Sequence, residues 1–106
     1  MPNPHERNAR FSLLLHRELA RAVERDPGVL ARARRTILRW QAVHGHSISA
    51  WDEWLKLLDA GVPAVVQVML DEGENASRLR QSSPFAGIVP NRRRWELLKQ
   101  SLNEAL

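Results

Sequence analysis

The sequence predicts an all-α protein, a compact bundle of five or six short helices built by a single helical domain over residues 1–106. Three observations predict it. Apolar residues recur at helical spacing in one segment after another, and no segment alternates with period two for long enough to build a sheet. The five glycines, Gly28, Gly45, Gly61, Gly73 and Gly87, each fall between helical segments. Pro27 and Pro63 stand at the openings of such segments, where a missing N–H costs nothing.

The first helix is expected from Pro4 to Arg25, with Phe11, Leu15, Leu19, Ala22 and Val23 on one face and Leu14 widening it. Arg7, Arg10, Arg17, Arg21 and Arg25 take the other side. Asp26 is expected to cap the second helix, with Pro27 at its first position and an end near His44. Its core candidates are Leu30, Ala33, Ile37, Leu38, Trp40 and Val43, while Arg32, Arg34, Arg35 and Arg39 lie mainly outward. The third helix starts at Ser49, where Ser49-Ala50-Trp51-Asp52 reads as an acidic variant of the capping box. Trp51, Trp54, Leu55 and Leu58 share its face. The fourth runs from Pro63 to about Asp71 with Val65, Val66, Val68 and Met69. Its β-branched content would suit a strand, but its frame of Pro63 and Gly73 and the lack of a partner strand favour a helix. A short fifth helix spans about Glu74 to Gln81. Residues 82–90 form a loop between prolines, and the last helix is capped by Asn91 and runs to about Glu104, with Trp95, Leu98, Leu102 and Leu106 as its stripe. Gly45, Gly61 and Gly73 each follow a helix, where a left-handed residue is wanted.

Composition excludes several functions. There is no cysteine, hence no disulfide framework, thiol nucleophile, Cys-based zinc site or iron–sulfur cluster. No apolar run approaches the ~20 residues of a membrane span, and Met1 to Glu6 lacks the apolar core of a signal peptide, so a cytoplasmic location is expected. No phosphate-binding glycine loop, dinucleotide fingerprint or zinc-protease motif occurs. His44-Gly45-His46 could be a metal pair, yet no third ligand is evident, and an imidazole at a helix C-terminus is the simpler reading. Ser82 and Ser83 have no paired base, and Asp52, Glu53 and Asp59 read as a solvated face. The sequence therefore predicts a protein that is not an enzyme and needs no cofactor or metal.

Charge is laid out in three blocks. The net charge is +4, and 14 of the 16 basic residues are Arg. Residues 1–45 carry +5, residues 46–75 carry −5 and residues 76–106 carry +4. The layout suits an anionic partner, or pairing of the ends with the middle. Arg32, Arg35 and Arg39 on the second helix are the candidate nucleic-acid contacts; a solvated surface is the competing reading. A helix-turn-helix sought in Ala64 to Ser83 fits poorly. Met69 occupies a position where a small residue is usual, and the turn Glu72-Gly73-Glu74 is acidic. Of the four Trp, Trp40, Trp54 and Trp95 fit core stripes, while Trp51 in the first turn of its helix is more exposed.

The most distinctive stretch is Leu79 to Ile88. Arg78, Arg80 and Gln81 precede an apolar tip, Phe85 and Ile88, and the five together have the composition of a protein interface. Equally, Phe85 and Ile88 could fold inward and close the bundle. The run Leu79 to Ile88 followed by Arg94-Trp95, with Leu15-His16-Arg17-Glu18-Leu19-Ala20 and Ala31-Arg32-Ala33-Arg34, resembles small bacterial antitoxin-like helical proteins encoded beside a toxin-like gene. The resemblance implies a cytoplasmic helical protein that binds and neutralises a toxin-like protein partner in a two-gene module. The alternative from the residues alone is a DNA-binding transcriptional regulator using the Arg-rich helix faces.

Overall fold

The computed structural model describes residues 4–104 and has six α-helices: α1 (Pro4–Arg25), α2 (Val29–His44), α3 (Ser49–Ala60), α4 (Val62–Leu70), α5 (Glu74–Arg80) and α6 (Asn91–Glu104). One 3₁₀ turn, Ala86–Ile88, interrupts the loop before α6, and no strand occurs among the described residues. The all-α bundle is therefore as the apolar periodicity predicts. Leu106, the last member of the expected α6 stripe, lies outside the described residues.

The long α1 organises the rest, packing on α4 and α6 and more lightly on α5 and α2. Leu15, Leu19 and Val23 are buried at i, i+4, i+8, and all five expected outward arginines of this helix are exposed. Across from it Ile37 of α2, Trp54 of α3, Val65 and Met69 of α4, and Phe85 of the loop are fully buried in the same cluster. Trp54 fixes this centre. Its indole N–H donates to the Leu79 carbonyl at 2.7 Å, and its ring meets Phe85 edge-on, with centroids 5.6 Å apart. Phe85 thus folds inward, and the loop of residues 82–90 closes the bundle.

Two glycines are required by backbone geometry. Gly45 ends α2 in the left-handed region at φ 73°, its N–H bonding the Gln41 carbonyl. Gly61 sits at φ 105° between α3 and α4, a conformation open to glycine and strained for any L side chain. Gly73 departs from expectation. At φ −68° it is the N-cap of α5, and its N–H donates at 2.7 Å to Asp71, so an aspartate side chain makes the turn in place of a left-handed residue.

Other caps also shift. The second helix begins at Val29, because Asp26 uses its side chain on the Gly28 N–H and its carbonyl on the Val29 N–H, a tight turn that displaces the helix start past Pro27. Ser49 is inside α3, whose N-cap is Ile48 with no side-chain cap. The first turn is instead held by a relay in which Gln41 donates to Ser47 at 2.8 Å and Ser47 to Asp52 at 2.7 Å.

The largest correction concerns α6. Its buried residues are Leu97 and Ser101, while Trp95 is 59% exposed and Leu102 is also exposed. Trp95 and Leu97 point about 200° apart on a helix, so the burial face is turned away from the apolar stripe. An ion pair accompanies the burial of Leu97 on this side: Arg93 grips both carboxylate oxygens of Glu18 on α1, with Nε at 2.8 Å from each, and also bonds Glu96 at 2.9 Å. That bidentate clamp seats the 93–97–101 edge on α1. Leu38 and Val43 of α2 are likewise exposed, Val43 at 74%, and Trp40 is only partly buried. Helix α2 lies at the edge of the bundle, where Val29, Ala33 and Ile37 make a narrow stripe sufficient for its contacts with α3 and α1.

Candidate binding site

The outer face of α2 and the loop of residues 82–90 enclose a surface cleft of about 420 Å³. Arg32, Arg35 and Arg39 line it from the helix at i, i+3, i+7, with Thr36 and Trp40 beside them; Ser83, Pro84, Gly87 and Ile88 form the opposite wall. The helix puts about 10.5 Å of axis between Arg32 and Arg39 at 1.5 Å per residue. None of these three guanidinium groups makes a hydrogen bond or ion pair among the described residues, and no carboxylate lines the cleft. Their neighbour Arg34, on the other side of α2, is ion-paired with Asp59 of α3.

A second groove of about 400 Å³ adjoins the first, sharing Trp40 and Ser83 with it. Its other walls are His44, Ile48, Trp51, Gln81 and Ser82. The rings are gathered there: Trp51 has centroids 5.7 Å from Trp40 and 5.7 Å from His44, each pair tilted by 38°. Thr36, Trp40 and His44 recur at i, i+4, i+8, so α2 presents an aromatic edge alongside its cationic one. Neither Trp40 nor Trp51 donates a hydrogen bond from its indole N–H among the described residues. His46 is used at the helix end, with Nδ1 at 3.0 Å from the His44 carbonyl, which suits a donor satisfying one of the orphan carbonyls of α2.

The five residues expected to form a protein-binding patch are divided by the fold. Phe85 is fully buried against Trp54. Arg80 is buried as well and donates through Nη1 to the Val68 carbonyl at 2.9 Å and to the Asp71 carbonyl. Val68 lies in the last turn of α4 and Asp71 is the residue that ends it, so Arg80 caps the C-terminal end of that helix. Burial pushes its guanidinium below the ordinary value, and Asp71 and Glu72 act the other way. Arg78 is exposed but engaged: Nη2 bonds both oxygens of Glu53 at 2.9 and 2.7 Å and the Asn75 side chain at 2.8 Å, tying α5 to α3. Only Gln81 and Ile88 reach the surface clefts, one in each. The five therefore form no continuous patch. The expected cationic set of Arg32, Arg35 and Arg39 is brought together in one cleft.

The α4–α5 pair offers no recognition helix. Helix α5 has seven residues, Arg80 turns inward from it and Arg78 is held by Glu53.

His16 is a polar group deep in the core. It is 1% exposed; its Nδ1 is 2.7 Å from the Ser12 carbonyl, and Nε2 has no partner among the described residues. Burial pushes its pKa down to about 4, the bond to Ser12 opposing the shift and the charge of Arg80 reinforcing it. The neutral ring therefore belongs to the folded state. Among the described residues no group of three or more His, Cys, Asp or Glu is placed to hold a metal ion, and no helix is long and apolar enough to cross a membrane.

The chain matches no protein-family model, no curated protein and no solved structure.

Proposed function

We propose that this protein is a non-enzymatic nucleic-acid-binding module whose contact face is the outer side of α2. The observation that carries this reading is the cleft with three guanidinium groups, none of them engaged by another described residue, and no carboxylate among its described lining residues. A guanidinium that the fold leaves free offers phosphate a planar, bidentate donor at no cost in internal contacts. The α2 face would sit against the backbone, with Arg32, Arg35 and Arg39 meeting successive phosphates. Binding of this kind is dominated by counterion release and falls steeply with salt. Retention of a short oligonucleotide at low and at moderate salt tests it. The expected result is retention at low salt, loss at moderate salt, and loss at both after Arg32, Arg35 and Arg39 are replaced by Gln. Absence of retention at low salt makes the face a solvated surface.

The antitoxin-like role, in which the protein also neutralises a partner encoded beside it in the bacterial cytoplasm, is supported by a different feature. Trp95 and Leu102 lie exposed at i and i+7 on α6, with the half-buried Leu98 between them. A protein partner would dock there instead of on Arg78 to Ile88. Capture of the neighbouring gene product should be lost with Trp95→Ala while the fold is kept. Capture that survives Trp95→Ala and Leu102→Ser together removes this reading.

A further inference from the structure

We infer that the groove walled by Trp40, Trp51 and His44 takes an unstacked base, which makes the preferred ligand a single-stranded nucleic acid. The inference rests on the phosphate-binding reading of α2 and specifies its substrate class. Three observations carry it. The two clefts are contiguous through Trp40 and Ser83, so a strand whose phosphates lie along Arg32, Arg35 and Arg39 has its next nucleotide at the aromatic groove. The groove combines two partly buried indoles with hydroxyl and amide groups from Ser82, Ser83 and Gln81, which is flat apolar surface beside polar atoms able to meet a base edge. Among the described residues neither wall carries a carboxylate that would repel a phosphodiester.

Duplex DNA cannot use this groove without extruding a base, because its π-faces are already stacked on one another. A single strand can, since every base has a face to offer and base–aromatic stacking tolerates sequence. The Arg stripe spans about 10.5 Å, or roughly three nucleotides of a stacked strand at 3.4 Å each, so a strand of modest length fills both clefts. An acidic protein segment would satisfy the cationic cleft but would leave the aromatic groove without a planar occupant.

The test compares four probes of similar length on the unaltered protein: oligo-dT, an abasic deoxyribose-phosphate strand, a self-complementary duplex and polyglutamate. Oligo-dT should bind best and quench tryptophan fluorescence, and the abasic strand should bind about tenfold more weakly with little quenching. Trp51→Ala should bring oligo-dT down to the level of the abasic strand and leave the abasic strand unchanged. Arg39→Gln should weaken both strands. Equal affinity for oligo-dT and the abasic strand overturns the base site while leaving the phosphate reading intact. Tighter binding of the duplex than of oligo-dT overturns it in favour of groove contacts. Polyglutamate binding as tightly as oligo-dT reassigns the face to an acidic protein. No binding of any probe at low salt removes the phosphate reading itself. The probe comparison needs no variant, so a Trp51→Ala chain that fails to fold leaves the test decisive.

Discussion

Two regions of this chain share one pairing of side chains, arginine with an aromatic ring, and have opposite fates. Arg78 to Ile88 and Arg32 to Trp40 each combine guanidinium groups with a large aromatic ring. In the first, the fold consumes every one of these groups. Arg78 is bound by Glu53, Arg80 by two carbonyls at the end of α4, and Phe85 by Trp54. In the second, the three arginines on the cleft have no acceptor among the described residues and the ring stays partly open. Composition therefore measures only what a segment could bind. Whether donors are already committed decides between a structural element and a recognition surface, and that depends on what the rest of the chain places opposite.

The difference can be broken or sharpened by substitution. The largest expected effect is Phe85→Ala, which empties the centre of the core and should cost about 3–5 kcal/mol, measured by denaturant unfolding. Lowering the pH comes next. His16 is held neutral with a pKa near 4 in the folded state, against about 6.5 in the unfolded chain. The unfolded state thus binds the extra proton first, so stability is fully present above about pH 6.5 and is lost as the pH falls toward 4. The loss amounts to about 3 kcal/mol from this one group. His16→Gln should flatten that part of the stability profile. Arg80→Ala leaves two carbonyls at the end of α4 without their charged donor and should cost about 2–3 kcal/mol. On the other side of the comparison, Arg32→Gln, Arg35→Gln and Arg39→Gln should each change stability by less than about 0.5 kcal/mol, while weakening polyanion binding. Trp95→Ala should also be nearly neutral for folding, by less than about 1 kcal/mol; a loss above about 3 kcal/mol would put Trp95 in the core after all.

Most of the helices were legible in the sequence, because apolar periodicity and glycine punctuation are local signals. The bounds of α1 and α3 and the left-handed turn at Gly45 follow from them, while α6 takes Asn91, its expected cap, as its first residue, and the Arg94 N–H bonds the Pro90 carbonyl at 3.0 Å. What could not be read is which side of an edge helix turns inward. Trp95, Leu98 and Leu102 form the more apolar side of α6, yet Trp95 and Leu102 face outward while Leu97 is buried and Arg93 pairs with Glu18, 75 positions away. No window of sequence contains both partners. The same reason hides the capping role of Arg80, whose acceptors lie nine and twelve residues back and are main-chain oxygens. The cationic stripe of α2 was legible as a stripe. The aromatic wall beside it had a faint local signal in the i, i+4 spacing of Trp40 and His44, but Trp51 and Ser83 join it only through the fold.

Thermal unfolding of Arg80→Gln and Arg39→Gln, each with and without oligo-dT, tests the central contrast most directly. Arg80→Gln should melt roughly 10 °C lower than the unaltered protein, a size expected when a loss of about 2 kcal/mol falls on a domain of this length. The oligonucleotide should still raise its midpoint by as much as it raises that of the unaltered protein. Arg39→Gln should melt with the unaltered protein and gain little from the oligonucleotide. The reverse pattern, with Arg80→Gln stable but blind to the oligonucleotide and Arg39→Gln destabilised but fully responsive, would contradict the account.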